Sequence, residues 1–294
     1  MEFIPAKNIV SGRNTQHQWF GVDYNMNIYK GCCHGCIYCD SRSECYQIKN
    51  FDTVRAKANA LNIIDKNLAS KRITGVVGSG GMSDPYNPFE EQYELTRGSL
   101  KLLDQYGFGC HISTKSDLVL RDIDILKSIM RHSPVLVMIT ITCADDALSK
   151  IIEPNVNVSS ARFNALKTLS DHGIPCGVLL MPILPMINDT KENIASIVEK
   201  TAKSGAKYIF PAFGMTLRSN QRDYYYKKID QHFAGLSDRY VRLFGDKYSC
   251  GSQKAGQLWH VFKTLCEKHD IAYKQKDIAK GYKSGYVFEQ LSWF

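Results

Sequence analysis

Three cysteines lie close enough together in the chain to share one inorganic centre. Cys32, Cys36 and Cys39 have the spacing C-x3-C-x2-C. With ten cysteines in 294 residues, composition alone predicts only about 0.01 such triplets per chain. Thiolates are the usual ligands of iron–sulfur clusters, and a compact loop of three can hold three irons of a 4Fe–4S cluster. The fourth iron then stays open, so the spacing predicts a centre that binds a further ligand.

Two other metal sites compete for the same segment. A bacterial ferredoxin run would begin at Cys33, but it requires a cysteine at position 43, where this chain has Ser43. A structural zinc site requires four ligands, usually arranged as two pairs. Cys33, His34 or Cys45 could complete such a site, although no second C-x2-C pair follows. Zinc therefore stays open as an alternative to the cluster.

The composition is that of a soluble globular protein with one large domain, or one domain and a small extension. Hydrophobic residues make up 44% of the chain, and no run approaches the ~18 apolar residues of a membrane span. The first residues lack the basic-then-apolar pattern of a secretory signal. Ten cysteines without such a signal favour reduced thiols and a cytoplasmic location. The net charge of +8 is compatible with a phosphate-rich partner without specifying one.

Strand-like apolar runs alternate with helix-like segments as far as residue 211. This alternation predicts right-handed βαβ units around a parallel sheet, and we expect an α/β fold, a partial (β/α)6 barrel of the TIM type. The predicted strands cover residues 26–29, 73–77, 109–113, 135–142, 176–181 and 207–211. The predicted helices cover residues 51–70, 90–106, 121–132, 144–152, 159–172 and 191–204. Because the alternation then stops, we predict a core over residues 1–215 and a mainly helical C-terminal extension over residues 216–294.

Several residues with chemical potential follow the predicted strands. In parallel sheets of this kind, ligands bind at the carboxyl ends of the strands. The cysteine loop follows the first strand, a Gly-Ser-Gly-Gly run at 78–81 follows the second, and Lys115 follows the third. A glycine-rich loop lets the backbone approach a ligand closely, and a lysine at the end of a buried strand costs free energy unless it is paired. We therefore expect the ligand site at this edge of the sheet.

The cysteine motif, with Tyr38 before its last cysteine, resembles the signature of radical S-adenosylmethionine (radical SAM) enzymes. In more detail, the chain is similar over about residues 3–215 to the spore photoproduct lyase-like branch of that superfamily, whose members are often described as DNA repair photolyases. The segments that carry the similarity are Asn27-x-Tyr29-x-Gly31, Ser83-Asp84-Pro85-Tyr86-Asn87-Pro88-Phe89-Glu90, Leu95-Thr96-Arg97, Ser113-Thr114-Lys115-Ser116, Leu120-Arg121-Asp122-Ile123-Asp124, Ile152-Glu153-Pro154 and Met181-Pro182-Ile183-Leu184-Pro185.

The resemblance implies two cofactors, a 4Fe–4S cluster and SAM. Cys32, Cys36 and Cys39 would hold the cluster, and its open iron would chelate the amino and carboxylate groups of SAM. Electron transfer from the reduced cluster would then cleave SAM to methionine and a 5′-deoxyadenosyl radical, which takes hydrogen from a substrate. A reducing partner such as flavodoxin or ferredoxin is implied as well. The substrate is not identified by these residues.

The same resemblance assigns residues to SAM. The candidates are Ser79, Gly80, Lys115, Thr140, Thr142, Arg162 and Met181. The glycine loop would hold the methionyl amino group and Lys115 would pair with the carboxylate. The two threonines would hydrogen-bond the ribose, and Met181 would form an apolar shelf for adenine. Arg162 would either contact SAM or form an ion pair with Glu153.

A function of a different class uses the C-terminal extension. The basic and aromatic stretch at residues 218–228 could stack on and neutralise a nucleic acid, although such a stretch is more often a half-exposed amphipathic helix. With zinc in the cysteine loop, the chain would then be a zinc-stabilised nucleic-acid-binding protein without radical chemistry. This is the alternative to the radical SAM enzyme.

Overall fold

The structure is a computed structural model that describes residues 1–12 and 19–286. Its strands are β1 (Glu2–Ile4), β2 (Tyr24–Met26), β3 (Tyr29–Lys30), β4 (Arg55–Lys57), β5 (Val76–Ser79), β6 (Gly109–Thr114), β7 (Val135–Thr140), β8 (Cys176–Leu180), β9 (Tyr208–Pro211), β10 (Gly214–Thr216) and β11 (Ser249–Gly251). Its helices are α1 (Ala60–Ala69), α2 (Glu90–Tyr93), α3 (Leu95–Gln105), α4 (Ile123–Ile129), α5 (Asp146–Ile152), α6 (Ser159–Asp171), α7 (Lys191–Lys203), α8 (Gln221–Asp230), α9 (Leu236–Phe244), α10 (Ala255–Lys268) and α11 (Gln275–Lys283).

Six strands form a parallel sheet in the order β2-β5-β6-β7-β8-β9. The strands follow one another in sequence across the sheet, with helices in the connections, as right-handed βαβ units require. The two edges are β2 and β9, so the barrel is open. The predicted partial (β/α)6 fold is confirmed.

Both faces of the sheet are covered, and this explains why the central strand is apolar throughout. All six residues of β7 are buried, as expected for a parallel strand between two layers. Alternate residues such as Val137 pack against the outer helices. Their neighbours Leu136 and Met138 point to the inner face, where they pack with Phe20 and with Ile278 of α11.

Several of the predicted elements were wrong in extent. The helix predicted over 90–106, for example, is divided into α2 and α3 at Glu94, which has a φ of +48°. The run at 26–29 is not one strand, because Met26 ends β2 while Tyr29 begins β3, which pairs antiparallel with β4 in a separate small sheet. The helix predicted over 51–70 begins only at Ala60, since residues 55–57 form β4 and Asn59 has a φ of +52°. A short apolar run does not reveal which partner it pairs with, and periodicity alone cannot detect such a turn.

The C-terminal extension packs against the barrel. Helix α10 lies on α7 and contributes Phe262 to the outer core. Helix α11 covers the inner face near the amino ends of the strands, where the Tyr282 hydroxyl donates to the Phe20 carbonyl at 2.8 Å. The predicted boundary at 215/216 falls inside β10 and stays a prediction. Among the described residues, no helix is long and apolar enough to cross a membrane.

Candidate functional site

The cysteine loop follows β3 and begins with a glycine that the backbone requires. Gly31 has a φ of +80°, and a Cβ at this position would overlap the carbonyl oxygens of Thr53 and Phe51. This close approach allows the Cys32 amide to donate to the Phe51 carbonyl at 2.8 Å. Only glycine adopts this conformation without strain, so residue 31 determines how the loop leaves the small sheet.

The segment after α5 holds the middle of the cysteine loop. The Asn155 side chain donates to the Cys33 carbonyl at 3.0 Å, and the Asn155 amide donates to the His34 carbonyl at 3.1 Å. The Ile37 amide donates to the Ile152 carbonyl at 3.0 Å. These bonds satisfy backbone groups that a buried loop would otherwise leave unpaired. The protein itself therefore shapes the loop that carries the cysteines.

The three thiols line one open cavity of about 150 Å³ at the carboxyl ends of the strands. Of the candidate residues, this cavity brings together Cys32, Cys36, Cys39, Gly80, Lys115 and Thr140. The other four candidates, Ser79, Thr142, Arg162 and Met181, are not part of its wall.

The thiols have the chemistry of ligands for a soft metal centre. Burial raises the pKa of Cys32 to about 12 and also raises the pKa of Cys36 and Cys39, while the Lys115 ammonium opposes this rise for the last two. Metal binding must therefore displace protons from the thiols. Three sulfur donors in a restricted cavity suit an iron–sulfur cluster. Across residues 1–12 and 19–286, no group of three or more His, Cys, Asp or Glu side chains is placed to hold a single metal ion.

The Lys115 ammonium forms no ion pair with any group in the described part of the chain. Lys115 follows β6, and its Nζ lies 5.7 Å from the centroid of the Tyr38 ring. Burial by itself lowers the pKa of Lys115, but the nearby Cys36, Glu153 and Asp84 outweigh this effect and raise the pKa. The side chain therefore stays charged at the cavity wall, where it is available to an anionic group of a ligand.

Arg162 forms a buried ion pair behind the cavity. Its Nη1 lies 2.6 Å from Oε2 of Glu153, and the guanidinium also donates to the carbonyls of Thr140 at 2.8 Å and Asn157 at 2.7 Å. Arg162 and Glu153 are 0% and 1% exposed. The Tyr38 hydroxyl donates to the same Glu153 carboxylate. Of the two roles left open by the sequence, the ion pair is present in the structure.

The remaining candidates lie around the cavity without entering it. The Ser79 hydroxyl accepts a hydrogen bond from the Ser113 amide at 3.0 Å. Thr142 is fully buried, and its carbonyl accepts from the side-chain amides of Asn188 and Asn193. Met181 packs against the cluster of inner-face side chains. The roles predicted for these residues in SAM binding stay predictions.

Two further residues line the cavity: Asp84, which had been given no role, and His34, which had been considered only as a zinc ligand. His34 lies in sequence between Cys32 and Cys36, and Asp84 follows the glycine loop. Both side chains are buried, at 4% and 8% exposure. The sequence signal for Asp84 is its position after the glycine-rich run at the ligand-binding edge. A carboxylate that becomes buried there is almost always paired.

The basic and aromatic stretch at 218–228 makes its contacts within the chain. Arg218 Nε lies 3.1 Å from Oδ1 of Asp40, and the Gln221 side chain donates to the Tyr38 carbonyl at 3.2 Å. Gln221, the first residue of α8, thus contacts the cysteine loop at Tyr38, and Arg218, just before the helix, contacts it at Asp40. These contacts account for Arg218 and Gln221 without a nucleic acid, and the alternative based on this stretch gains no support from them.

The chain is similar to a known protein family and to proteins of two microorganisms. Residues 26–199, more than half of the chain, match the model of the radical SAM superfamily. An uncharacterized protein of Methanocaldococcus jannaschii is 37% identical over 174 residues, which cover 58% of this chain and 64% of that protein. An uncharacterized protein of Mycobacterium tuberculosis is 27% identical over 230 residues, covering 75% of this chain and 67% of that protein.

Solved structures show the same fold. Spore photoproduct lyase complexed with dinucleoside spore photoproduct has a TM-score of 0.63 at 14% identity, covering 86% of this chain and 76% of that one. A radical S-adenosylmethionine methyltransferase of Kitasatospora setae, with cobalamin and a [4Fe-4S] cluster bound, has a TM-score of 0.56 at 12% identity, covering 88% and 57%. At such identities the likeness concerns the fold. By the family match, this chain is an enzyme of the radical SAM superfamily, whose members use a 4Fe–4S cluster and SAM.

Proposed function

We propose that the protein reductively cleaves SAM at a cluster held by Cys32, Cys36 and Cys39 and uses the resulting radical to take hydrogen from a substrate. The observation that carries this proposal is the arrangement of one cavity. Three thiols line the same cavity at the carboxyl ends of the strands as the Lys115 ammonium, which forms no ion pair with any residue that the structure describes. Such a wall offers separate positions for a metal centre and for a carboxylate.

When bound, the cluster and SAM supply the 5′-deoxyadenosyl radical, which is chemistry that no side chain could perform. The protein binds these groups, orients them and limits access of water. In this proposal Lys115 pairs with the SAM carboxylate, Gly80 lets the backbone approach the amino group, and Thr140 contacts the ribose. A reducing partner such as flavodoxin or ferredoxin supplies the electron, and ten free cysteines suit a reducing compartment.

We further propose that residues 1–215 are the catalytic core and residues 216–294 an extension that supports it. The contacts of Arg218 with Asp40 and of Gln221 with the Tyr38 carbonyl support this division, since they hold the cysteine loop from outside.

Metal analysis after anaerobic purification tests the proposal most directly. We expect a brown protein with broad visible absorbance and about four irons per chain. Addition of dithionite and SAM should then release 5′-deoxyadenosine slowly, even without substrate. A colourless protein that contains one zinc would instead support the alternative of a zinc-stabilised nucleic-acid-binding protein.

Replacement of Lys115 tests the assignment to SAM. Lys115→Ala removes the ammonium, and we expect SAM binding to weaken by about 1.5–3 kcal/mol, the usual value of a hydrogen bond to a charged group. The iron content should stay unchanged. The measurement is a SAM titration of the cluster-loaded protein, and Lys101→Ala, an exposed lysine on α3, serves as the control. An unchanged affinity in the Lys115 variant would remove this residue from the SAM site.

A further prediction concerns spore photoproduct, the substrate of the structurally similar lyase. By resemblance, true lyases carry a cysteine after the second strand that donates a hydrogen atom to the product radical. Residues 78–85 of this chain contain none, and Ser83 cannot replace it because an alcohol O–H bond is much stronger than a thiol S–H bond. We therefore expect no efficient repair in an assay with dinucleoside spore photoproduct, SAM and dithionite. Multiple turnovers to two thymines would contradict this prediction and would point to Cys110 or Cys143 as the donor.

A further inference from the structure

Asp84 joins separate segments of the chain that line the cavity. Its Oδ1 accepts hydrogen bonds from the Tyr86 amide at 2.9 Å and from the Thr114 hydroxyl at 2.6 Å. Its Oδ2 accepts from the Lys115 amide at 2.8 Å and lies 3.7 Å from Nδ1 of His34. One buried carboxylate thus connects the turn after β5, the end of β6 and the loop that carries the cysteines.

These bonds control the backbone on both sides of Lys115. Thr114, which donates its hydroxyl proton to Asp84, also accepts through the same oxygen from the Ser116 amide at 3.0 Å. The Lys115 amide itself is held by Asp84. The ammonium has no direct partner in the described residues, so the direction of the side chain depends on how this backbone is held. A buried carboxylate with three hydrogen bonds holds it well.

Contact with His34 links the same carboxylate to the cluster ligands. His34 is 4% exposed and lies in sequence between Cys32 and Cys36. A change in Asp84 is therefore able to shift Lys115 relative to the cysteine loop without removing either of them.

We propose that Asp84 is a positioning residue for the binding of SAM. It holds Lys115 in the arrangement, relative to the cysteine loop, that lets both act on one SAM molecule. This inference rests on the proposed function, in which Lys115 pairs with the SAM carboxylate.

The matched control is Asp122, another buried carboxylate, which lies immediately before α4. Asp122 is 0% exposed and accepts from the Tyr86 hydroxyl at 3.0 Å and from Arg97 at 2.8 Å. It does not line the cavity. Loss of the Asp122 charge disturbs the same region of the fold. The Asp122→Asn variant therefore shows how general destabilisation affects SAM binding.

The test compares Asp84→Asn with Asp122→Asn in cluster-loaded protein. The amide of Asp84→Asn keeps an oxygen for Tyr86 and Thr114 but places an N–H donor against the Lys115 amide. We expect full iron content and a SAM dissociation constant raised about tenfold, whereas Asp122→Asn should leave the dissociation constant unchanged. A second variant, Thr114→Val, keeps the shape of the side chain and loses only the hydroxyl, and should raise the constant about threefold.

A double-mutant cycle separates positioning from a merely structural role. If Asp84 acts through Lys115, Asp84→Asn should weaken SAM binding when it is introduced alone. It should weaken binding almost no further when Lys115→Ala is already present, because the two changes are then coupled. Fully additive effects would overturn the inference. Equal weakening by Asp84→Asn and Asp122→Asn would overturn it too.

The remaining outcomes distinguish this inference from the proposed function. If Lys115→Ala weakens SAM binding and Asp84→Asn does not, the inference fails and the proposed function stands. If Lys115→Ala has no effect, the assignment of Lys115 fails and the inference fails with it. Should Asp84→Asn lose its cluster, Thr114→Val decides, and an unchanged SAM affinity at full iron content would refute the positioning role.

Discussion

We expect Cys36→Ala to abolish iron loading and the formation of 5′-deoxyadenosine from SAM. Three thiolates are the minimum for a cluster that keeps one iron open, and Cys36 is the central one of the three. Its side chain lies in the wall of the cavity and is 7% exposed. The variant should purify colourless under anaerobic conditions. Iron and sulfide analysis together with a 5′-deoxyadenosine assay checks this expectation.

The matched control is Cys33→Ala in the same loop. Cys33 is half-buried and lies outside the cavity wall. The bond from Asn155 goes to its backbone carbonyl, so removal of the thiol leaves the loop held as before. Cys33→Ala should retain both iron and SAM cleavage. The opposite pattern, with the cluster lost in Cys33→Ala and kept in Cys32→Ala, would show that the ligands are assigned in the wrong register.

We expect Arg162→Met to lower the free energy of unfolding by about 3–5 kcal/mol, which is the usual cost of removing one partner from a buried ion pair. Among the described residues, the change leaves the buried Glu153 carboxylate with the Tyr38 hydroxyl as its one side-chain partner. It also removes the donor to the Thr140 carbonyl at the end of β7. Urea unfolding of the protein without its cluster, followed under reducing conditions, measures the effect.

Lys167→Ala on the same helix provides the comparison. Lys167 pairs with Asp171 at 2.8 Å, but both side chains are about 60% exposed, so the loss should be at most about 0.5 kcal/mol. A similar small loss for Arg162→Met would mean that the buried pair contributes little. A stable Arg162→Met protein that no longer binds SAM would restore the other role predicted for Arg162, that of a SAM contact.

The alternation of apolar strands and amphipathic helices was sufficient to predict the fold class. Strands such as β7 are buried on both faces, so nearly every residue is apolar and the run is easy to recognise. The largest errors lie at β3 and β4, each of three residues or fewer. Their pairing depends on partners far away in sequence, and a short run contains no information about which partner it meets.

The candidate site was predictable where chemistry depends on local spacing. Cys32, Cys36 and Cys39 belong to one loop, so their spacing in sequence constrains their spacing in space, and family membership confirms the cofactors that they implied. The position of Lys115 was also foreseeable, because the end of a buried parallel strand points to the ligand-binding edge.

Tertiary structure alone decided how these residues are held. Asp84 reaches Lys115 across 31 positions in sequence, and Tyr38 reaches Glu153 across 115. Such hydrogen bonds depend on how the ends of different strands come together, which no local pattern records. The sequence therefore determined the fold class, and it placed the proposed cluster ligands and the proposed SAM site at one edge of the sheet. The packing of the strand ends decided that Asp84 lies against the Lys115 backbone and that Glu153 pairs with Arg162. Charged side chains that lose water through this packing require a partner.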